Sequence, residues 1–179
     1  MHDDNMASNR RPVGINFEKI LQSVQNDVRE MKIEFEESGL PITDDNKQLH
    51  QFCERLEFIL KFGLRERNSL KTGVGRGRCF LRYCLVHQCM GDVLQQCVDN
   101  QSVSRHFYQD GALLTDAKLS PTLLNCLYQL CDVPFDLPPT GHDLDVSWPT
   151  FSRHGSAGGG WLPPSRAVSL SSLSSYSSQ

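Results

Sequence analysis

The sequence predicts an all-α fold: a single-core helical bundle over residues 15–151, with disordered N- and C-terminal tails at 1–14 and 152–179. Two observations predict it. Apolar residues recur at steps of three and four along several segments, the spacing that gives a helix one buried face. No apolar–polar alternation of the kind that marks a half-buried strand competes with them.

The stretch at 75–98, GRGRCFLRYCLVHQCMGDVLQQCV, reads as the central helix. Phe80, Leu81, Cys84, Leu85, Gln88, Asp92 and Gln95 form one row, flanked by a second of Leu81, Leu85, Val93, Leu94 and Cys97. A stripe that wide belongs to a helix with most of its girth against neighbours.

Before it, residues 15–38 place Phe17, Ile20, Leu21, Val24, Val28, Met31 and Phe35 on one face, and Gly39 follows as a stop. Leu40 and Pro41 turn the chain, and Thr43, Asp44 and Asp45 offer an N-cap with acids suited to the helix dipole. Leu49, Phe52, Cys53, Leu56, Ile59 and Leu60 make a second helix ending at Gly63, its apolar face widened by Phe58 and Phe62. The pattern then breaks at 64–77 into LRERNSLKTGVGRG, a basic connection rich in glycine.

After the central helix, Ser102 or Ser104 is the expected cap of a short turn, and Asp110-Gly111 marks a bend. Ser120-Pro121 reads as a helix start, because proline at the first helical position loses no needed hydrogen bond. Leu123, Leu124, Leu127, Tyr128, Leu130 and Cys131 supply the buried side of that helix. The aromatic–proline segment that follows, with Pro134, Pro138, Trp148, Pro149 and Phe151, is expected to dock back on the core. Beyond Phe151 the chain is Gly, Ser and Pro, too poor in large apolar groups to offset the entropy of ordering.

Composition excludes several function classes. A net charge of -3 and a pI of 6.0 give no whole-chain argument for nucleic acid or an acidic membrane surface. No apolar run reaches 18 residues, so no membrane insertion is expected. Residues 1–14 lack the apolar core of a signal peptide, so the expected location is cytoplasmic. The seven cysteines (53, 79, 84, 89, 97, 126 and 131) are accordingly read as reduced core thiols.

Each short motif in the sequence has a plainer reading beside the functional one. TGVGRGR at 72–78 precedes a helix as a phosphate cradle does, but the GK[ST] ending and GxGxxG spacing are absent, and a basic hinge is the plainer reading. Cys79, Cys84 and Cys89 are five apart, about 140° of rotation each on a helix, and do not converge on a metal. His142, Asp143 and Asp145 read as turn stabilisers rather than ligands. No GxSxG, HExxH or recognisable Cys/His setting points to catalysis, and no cofactor is expected. In the tail, Arg166 three residues before Ser169 has the form of a basophilic kinase site. The basic cluster of Arg76, Arg78 and Arg82 has two readings: a solvated helix end, or a docking patch for an acidic partner.

Three blocks, PITDDNKQLHQFCERLEFILKF, GRGRCFLRYCLVHQCMGDVLQQC and FDLPPTGHDLDVSWPTFSR, resemble in order the blocks of a RUN domain, over residues 15–153. The resemblance implies an all-helical, non-enzymatic adaptor module that recruits small GTPases of the Rab, Arl or Rap type, or motor-linked proteins. It also implies recruitment to endosomes, lysosomes or autophagosomes. Basic surface residues engage the GTPase in several relatives, and Arg76, Arg78 and Arg82 stand at the matching positions. One departure is expected to matter. Relatives carry a further aromatic-rich, helical segment where Leu70 here meets Lys71 directly, and a coiled coil and FYVE finger downstream. Such a shortened form is expected to leave apolar surface near Phe58, Phe62 and Phe80, and the alternative outcome is a partly misfolded or non-binding variant.

Overall fold

A computed structural model describes residues 15–65, 73–138 and 142–149. The junction at 70–71, the two tails, Phe151 and the Arg166–Ser169 motif lie outside the described residues. The first two expected helices form as read. Helix α1 (Phe17–Ser38) is capped by the Asn16 side chain and ends at Gly39, whose φ of 67° is the left-handed conformation that glycine adopts without a steric cost. Helix α2 (Lys47–Lys61) is followed by Gly63 at φ 74°. Its cap is Asn46, which accepts from the Leu49 amide at 2.6 Å, rather than Thr43, Asp44 or Asp45. Asp44 is drawn away by Arg82.

The expected central helix is two helices, α3 (Val74–Val86) and α4 (Met90–Asp99). Its pattern was continuous, but a straight helix over that stretch would run about 36 Å. The chain instead turns at Gln88, which takes a φ of 55°. The Gln88 amide donates to the Leu85 carbonyl at 3.1 Å and the Cys89 amide to that of Cys84 at 3.0 Å. Those two bonds around a left-handed residue are a Schellman turn built without glycine. The turn lets α4 lie against the last long helix, and Gly91 permits the close approach: a β-carbon there would sit 2.8 Å from the Tyr128 ring.

Two further starts differ from expectation. Helix α5 (Gln101–Phe107) is capped by Asn100 and not by Ser102 or Ser104. After a 3-10 turn at Leu113–Thr115, α6 (Leu119–Tyr128) begins before Ser120-Pro121, where Asp116 Oδ1 accepts from the Lys118 and Leu119 amides at 2.9 and 3.1 Å. A pair of two-residue strands, β1 (Ile42–Thr43) and β2 (Phe135–Asp136), runs parallel in the register Ile42 to Phe135. Strands this short carry no alternation for a sequence to display.

One core unites the described elements. Helix α1 packs on α2 and α6, and α6 on α4. Val24, Val28 and Met31 of α1 meet Phe52, Leu56 and Ile59 of α2 and Leu123 and Leu127 of α6, all buried. Trp148 is buried too, so the aromatic–proline segment does dock back. The cysteine expectation holds for Cys53, Cys84 and Cys126, whereas Cys79 and Cys97 are exposed. Phe62 packs edge-on against Phe17 at 5.0 Å between ring centres, while Phe58 and Phe80 are exposed as expected.

Candidate functional site

Helix α3 divides into an anchored inner side and an outer row. Its N-cap residue, Gly73, has no side chain with which to cap it. Instead Asp145, from the segment 142–149, accepts the Gly75 amide at 2.7 Å, a carboxylate placed at the positive end of the helix. Gly75 is required there, since a β-carbon would come within 2.9 Å of the Asp145 backbone nitrogen. The glycine-rich motif thus binds an anion that belongs to the chain itself, and a phosphate at that amide would meet the Asp145 charge. Asp143 caps its own turn by accepting from the Asp145 amide at 3.1 Å. Among the described residues no group of His, Cys, Asp and Glu is arranged to hold a metal ion.

Arg78 faces inward. Its Nε lies 3.2 and 3.0 Å from the two carboxylate oxygens of Glu57, and its Nη1 donates to the Leu144 carbonyl at 2.9 Å. The guanidinium also stands over the Trp148 ring, 5.5 Å from its centre. Trp148 Nε1 donates to Glu57 at 2.5 Å, and Lys61 adds a third donor at 2.5 Å. Burial alone would raise the Glu57 pKa, but the bonds from Lys61, Arg78 and Trp148 outweigh it and hold the carboxyl below its ordinary value.

Arg82, one turn on, is only 6% exposed. It makes a two-point pair with Asp44 and donates to the Pro138 carbonyl at 3.0 Å. His142 Nε2 approaches the same carboxylate at 3.5 Å. The expectation that the three arginines share a solvated surface therefore holds for Arg76 alone. Arg78 and Arg82 follow it at steps of two and four, which turns them about the helix axis toward α2 and the 138–149 segment. Arg76 is exposed, and no ion pair joins it to a carboxylate among the described residues.

The outer row continues from Arg76 through Phe80, Tyr83, Val86 and His87, spaced at four, three, three and one. Phe80 and Tyr83 are 49% and 57% exposed, and Val74 and Val86 are exposed beside them. The Tyr83 and His87 rings lie 4.1 Å apart, so the end of the row is already ordered. An exposed apolar row on a helix whose opposite side is pinned by salt bridges has the character of a docking face. Sequence reading missed Tyr83, which was absent from both apolar rows, and missed Glu57 and Asp44 as the acceptors of the buried arginines. The separations of 21 and 38 residues explain why: a long-range pair leaves no local signature.

Comparison with known proteins bears on the same region. The family model for the RUN domain matches residues 64–141, which take in α3 to α6. FYVE and coiled-coil domain-containing protein 1 from Homo sapiens is 37% identical over 199 residues, using 89% of this chain and 14% of the relative. RUN and FYVE domain-containing protein 4 from Mus musculus is 29% identical over 169 residues, 75% of this chain and 30% of the relative. This chain therefore spans less than a third of the length of either. Since 89% of 179 residues is about 159, about 40 of the 199 aligned positions have no counterpart here. The second comparison gives about 35. The family match and the two relatives agree with the architecture, and the chain carries a RUN domain.

Proposed function

We propose that this chain is a non-enzymatic adaptor module, a RUN-like helical domain over residues 15–151 that captures a small GTPase of the Rab, Arl or Rap type. The outer row of α3 is the contact surface, and the exposed aromatic pair Phe80 and Tyr83 beside Arg76 is the observation that carries this reading. Arg76 reaches an acidic partner surface, while Arg78 and Arg82 serve by holding α3 at the angle that presents the row. Capture of a vesicle-bound GTPase, or of a motor-linked protein, recruits the chain to endosomes, lysosomes or autophagosomes. Among the described residues no helix is long and apolar enough to cross a membrane.

The test is capture of purified GTPases of the three types, each loaded with a non-hydrolysable GTP analogue or with GDP. Retention of a GTP-loaded form that Tyr83→Asp abolishes supports the reading; equal retention by wild type and Tyr83→Asp moves the contact elsewhere. ATP and GTP titrated into the chain alone should give no heat, whereas micromolar binding, roughly 8 kcal/mol, would favour a nucleotide site instead. The gap of about 40 positions favours a second reading, a shortened form that no longer binds. A chain with the relative's segment restored between Leu70 and Lys71 separates the two: binding by the restored form alone assigns the loss to the shortening.

A further inference from the structure

The turn between α3 and α4 sets two cysteines against each other. In a Schellman turn the residue three places inside the helix end and the second residue beyond the cap make the characteristic side-chain contact. With Gln88 as the left-handed residue, those two positions are Cys84 and Cys89. The Cys89 amide donates to the Cys84 carbonyl at 3.0 Å, and Cys89 lies near enough to Cys84 to raise the pKa of its thiol. Cys84 is fully buried and Cys89 is partly exposed, so solvent reaches one residue of the pair and not the other. Cys131 comes to the same corner from beyond α6 and donates to the Gln88 carbonyl at 3.6 Å. The cysteines of this corner are five and 42 residues apart in sequence, and a continuous helix over 75–98 would turn Cys84 and Cys89 away from each other.

We propose that Cys84 and Cys89 are a redox-active dithiol that a hydroperoxide converts to an intramolecular disulfide. Cys89 reacts first, because it is the more exposed residue of the pair. Its thiolate attacks one peroxide oxygen, the O–O bond breaks, and the departing oxygen takes up a proton and leaves as alcohol or water. Cys89 is then a sulfenic acid. The Cys84 sulfur attacks the Cys89 sulfur, the S–O bond breaks, and hydroxide leaves with the Cys84 proton as water. One peroxide is reduced and two thiols are oxidised to one disulfide. Burial first, and the neighbouring Cys89 after it, raise the pKa of Cys84, which keeps it a thiol and reserves it for the second step. The bridge ties the last turn of α3 to the residue preceding α4, using a contact the backbone already enforces. A disulfide needs β-carbons about 4 Å apart, and the turn at Gln88 brings together the side chains at these two positions.

The experiment treats the purified full chain with hydrogen peroxide, blocks the remaining thiols with maleimide in denaturant, and maps the tryptic peptides. Cys84, Cys89 and Cys97 all fall on the peptide 83–105. The expected product has lost about 2 Da, carries one maleimide at Cys97 instead of three, and returns to three after dithiothreitol. Fragmentation should place the link between Cys84 and Cys89. Cys89→Ser should abolish the mass loss, while Cys97→Ser and Cys131→Ser should retain it. Because Cys89 is partly exposed, its replacement by serine leaves the core intact, and the circular dichroism spectrum checks this. A link that includes Cys97 or Cys131 would overturn the proposal. So would peroxide that oxidises Cys79 and Cys97 while Cys84 and Cys89 both still take maleimide.

Discussion

Arg82 and Asp44 face each other as a two-point ion pair, with Nη1 to Oδ1 at 2.5 Å and Nη2 to Oδ2 at 2.8 Å. It joins the inner side of α3 to the turn before α2, and the third donor bond reaches the Pro138 carbonyl. A planar guanidinium fits this geometry, and a lysine does not. Removing one partner leaves the other charge in a poorly solvated site. Arg82→Ala should therefore destabilise the fold by about 3–5 kcal/mol, read as a lower urea midpoint. Arg76→Ala, at an exposed position, should change stability by less than about 0.5 kcal/mol. Equal effects of the two would contradict the division of α3 into anchored and outer sides.

Glu57 predicts a pH dependence. Its pKa is lowered in the fold, so its contribution is fully present above its unfolded value of 4.5 and is lost as pH falls through the lower folded value. Asp27 has the opposite sign. Burial raises its pKa in spite of the hydrogen bond and charge of Arg55, so its ionised form costs stability above the folded value, and that cost is relieved as pH falls toward 3.8. The melting temperature should fall between about pH 5 and about pH 3, because Glu57 loses three donors' worth of interaction while Asp27 gains only relief from burial. Glu57→Gln should flatten that acid limb, and Asp27→Asn should steepen it. Identical limbs in wild type and Glu57→Gln would remove Glu57 from this role.

Much of this fold was legible because its information is local. The α1 stripe, Gly39 and Gly63 each announce themselves within one or two turns of chain. What escaped was set by partners far away in sequence. The stripe at 75–98 stays periodic through Gln88, and only the packing of α4 on α6 makes a turn there worth a left-handed glutamine. Asp44 looks like a cap until Arg82 claims it, and Arg78 looks solvated until Glu57 and Trp148 are brought around it. The tight spot at Gly75 likewise depends on Asp145, 70 residues later.

Gly91 offers a test of the α4–α6 contact. A methyl group there would lie 2.8 to 3.1 Å from three atoms of the Tyr128 ring, including the ring carbon nearest the backbone. The ring cannot yield by a small rotation alone, and its hydroxyl would give up the 3.1 Å bond to Asp92. Gly91→Ala should cost about 1–3 kcal/mol despite the better helix propensity of alanine. Gly91→Ala combined with Tyr128→Ala should recover part of that loss, since the two changes share one contact. A Gly91→Ala chain as stable as wild type would show that α4 and α6 are not held this closely.

The outer row of α3 separates two kinds of contact in one binding experiment. Arg76 is a charge at the edge of the row, and Tyr83 is a large aromatic at its centre. A rim charge acts on the rate of encounter and is screened by salt, with a screening length of about 10 Å at 0.1 M. A central aromatic acts on the lifetime of the complex, because its contact forms only once water is excluded. Arg76→Glu should therefore slow association with a GTP-loaded GTPase and flatten its salt dependence, leaving dissociation little changed. Tyr83→Ala should speed dissociation by about 30-fold or more, the equivalent of about 2 kcal/mol, and leave the salt dependence as in wild type. Surface plasmon resonance at two or more salt concentrations reads both rates. The fold should survive either change, since both side chains point away from Glu57, Asp44 and the core. If instead Arg78→Ala lowers affinity at constant helicity while Arg76→Glu does nothing, the partner has opened the Glu57 pair to reach Arg78, and the inner side of α3 is the docking surface.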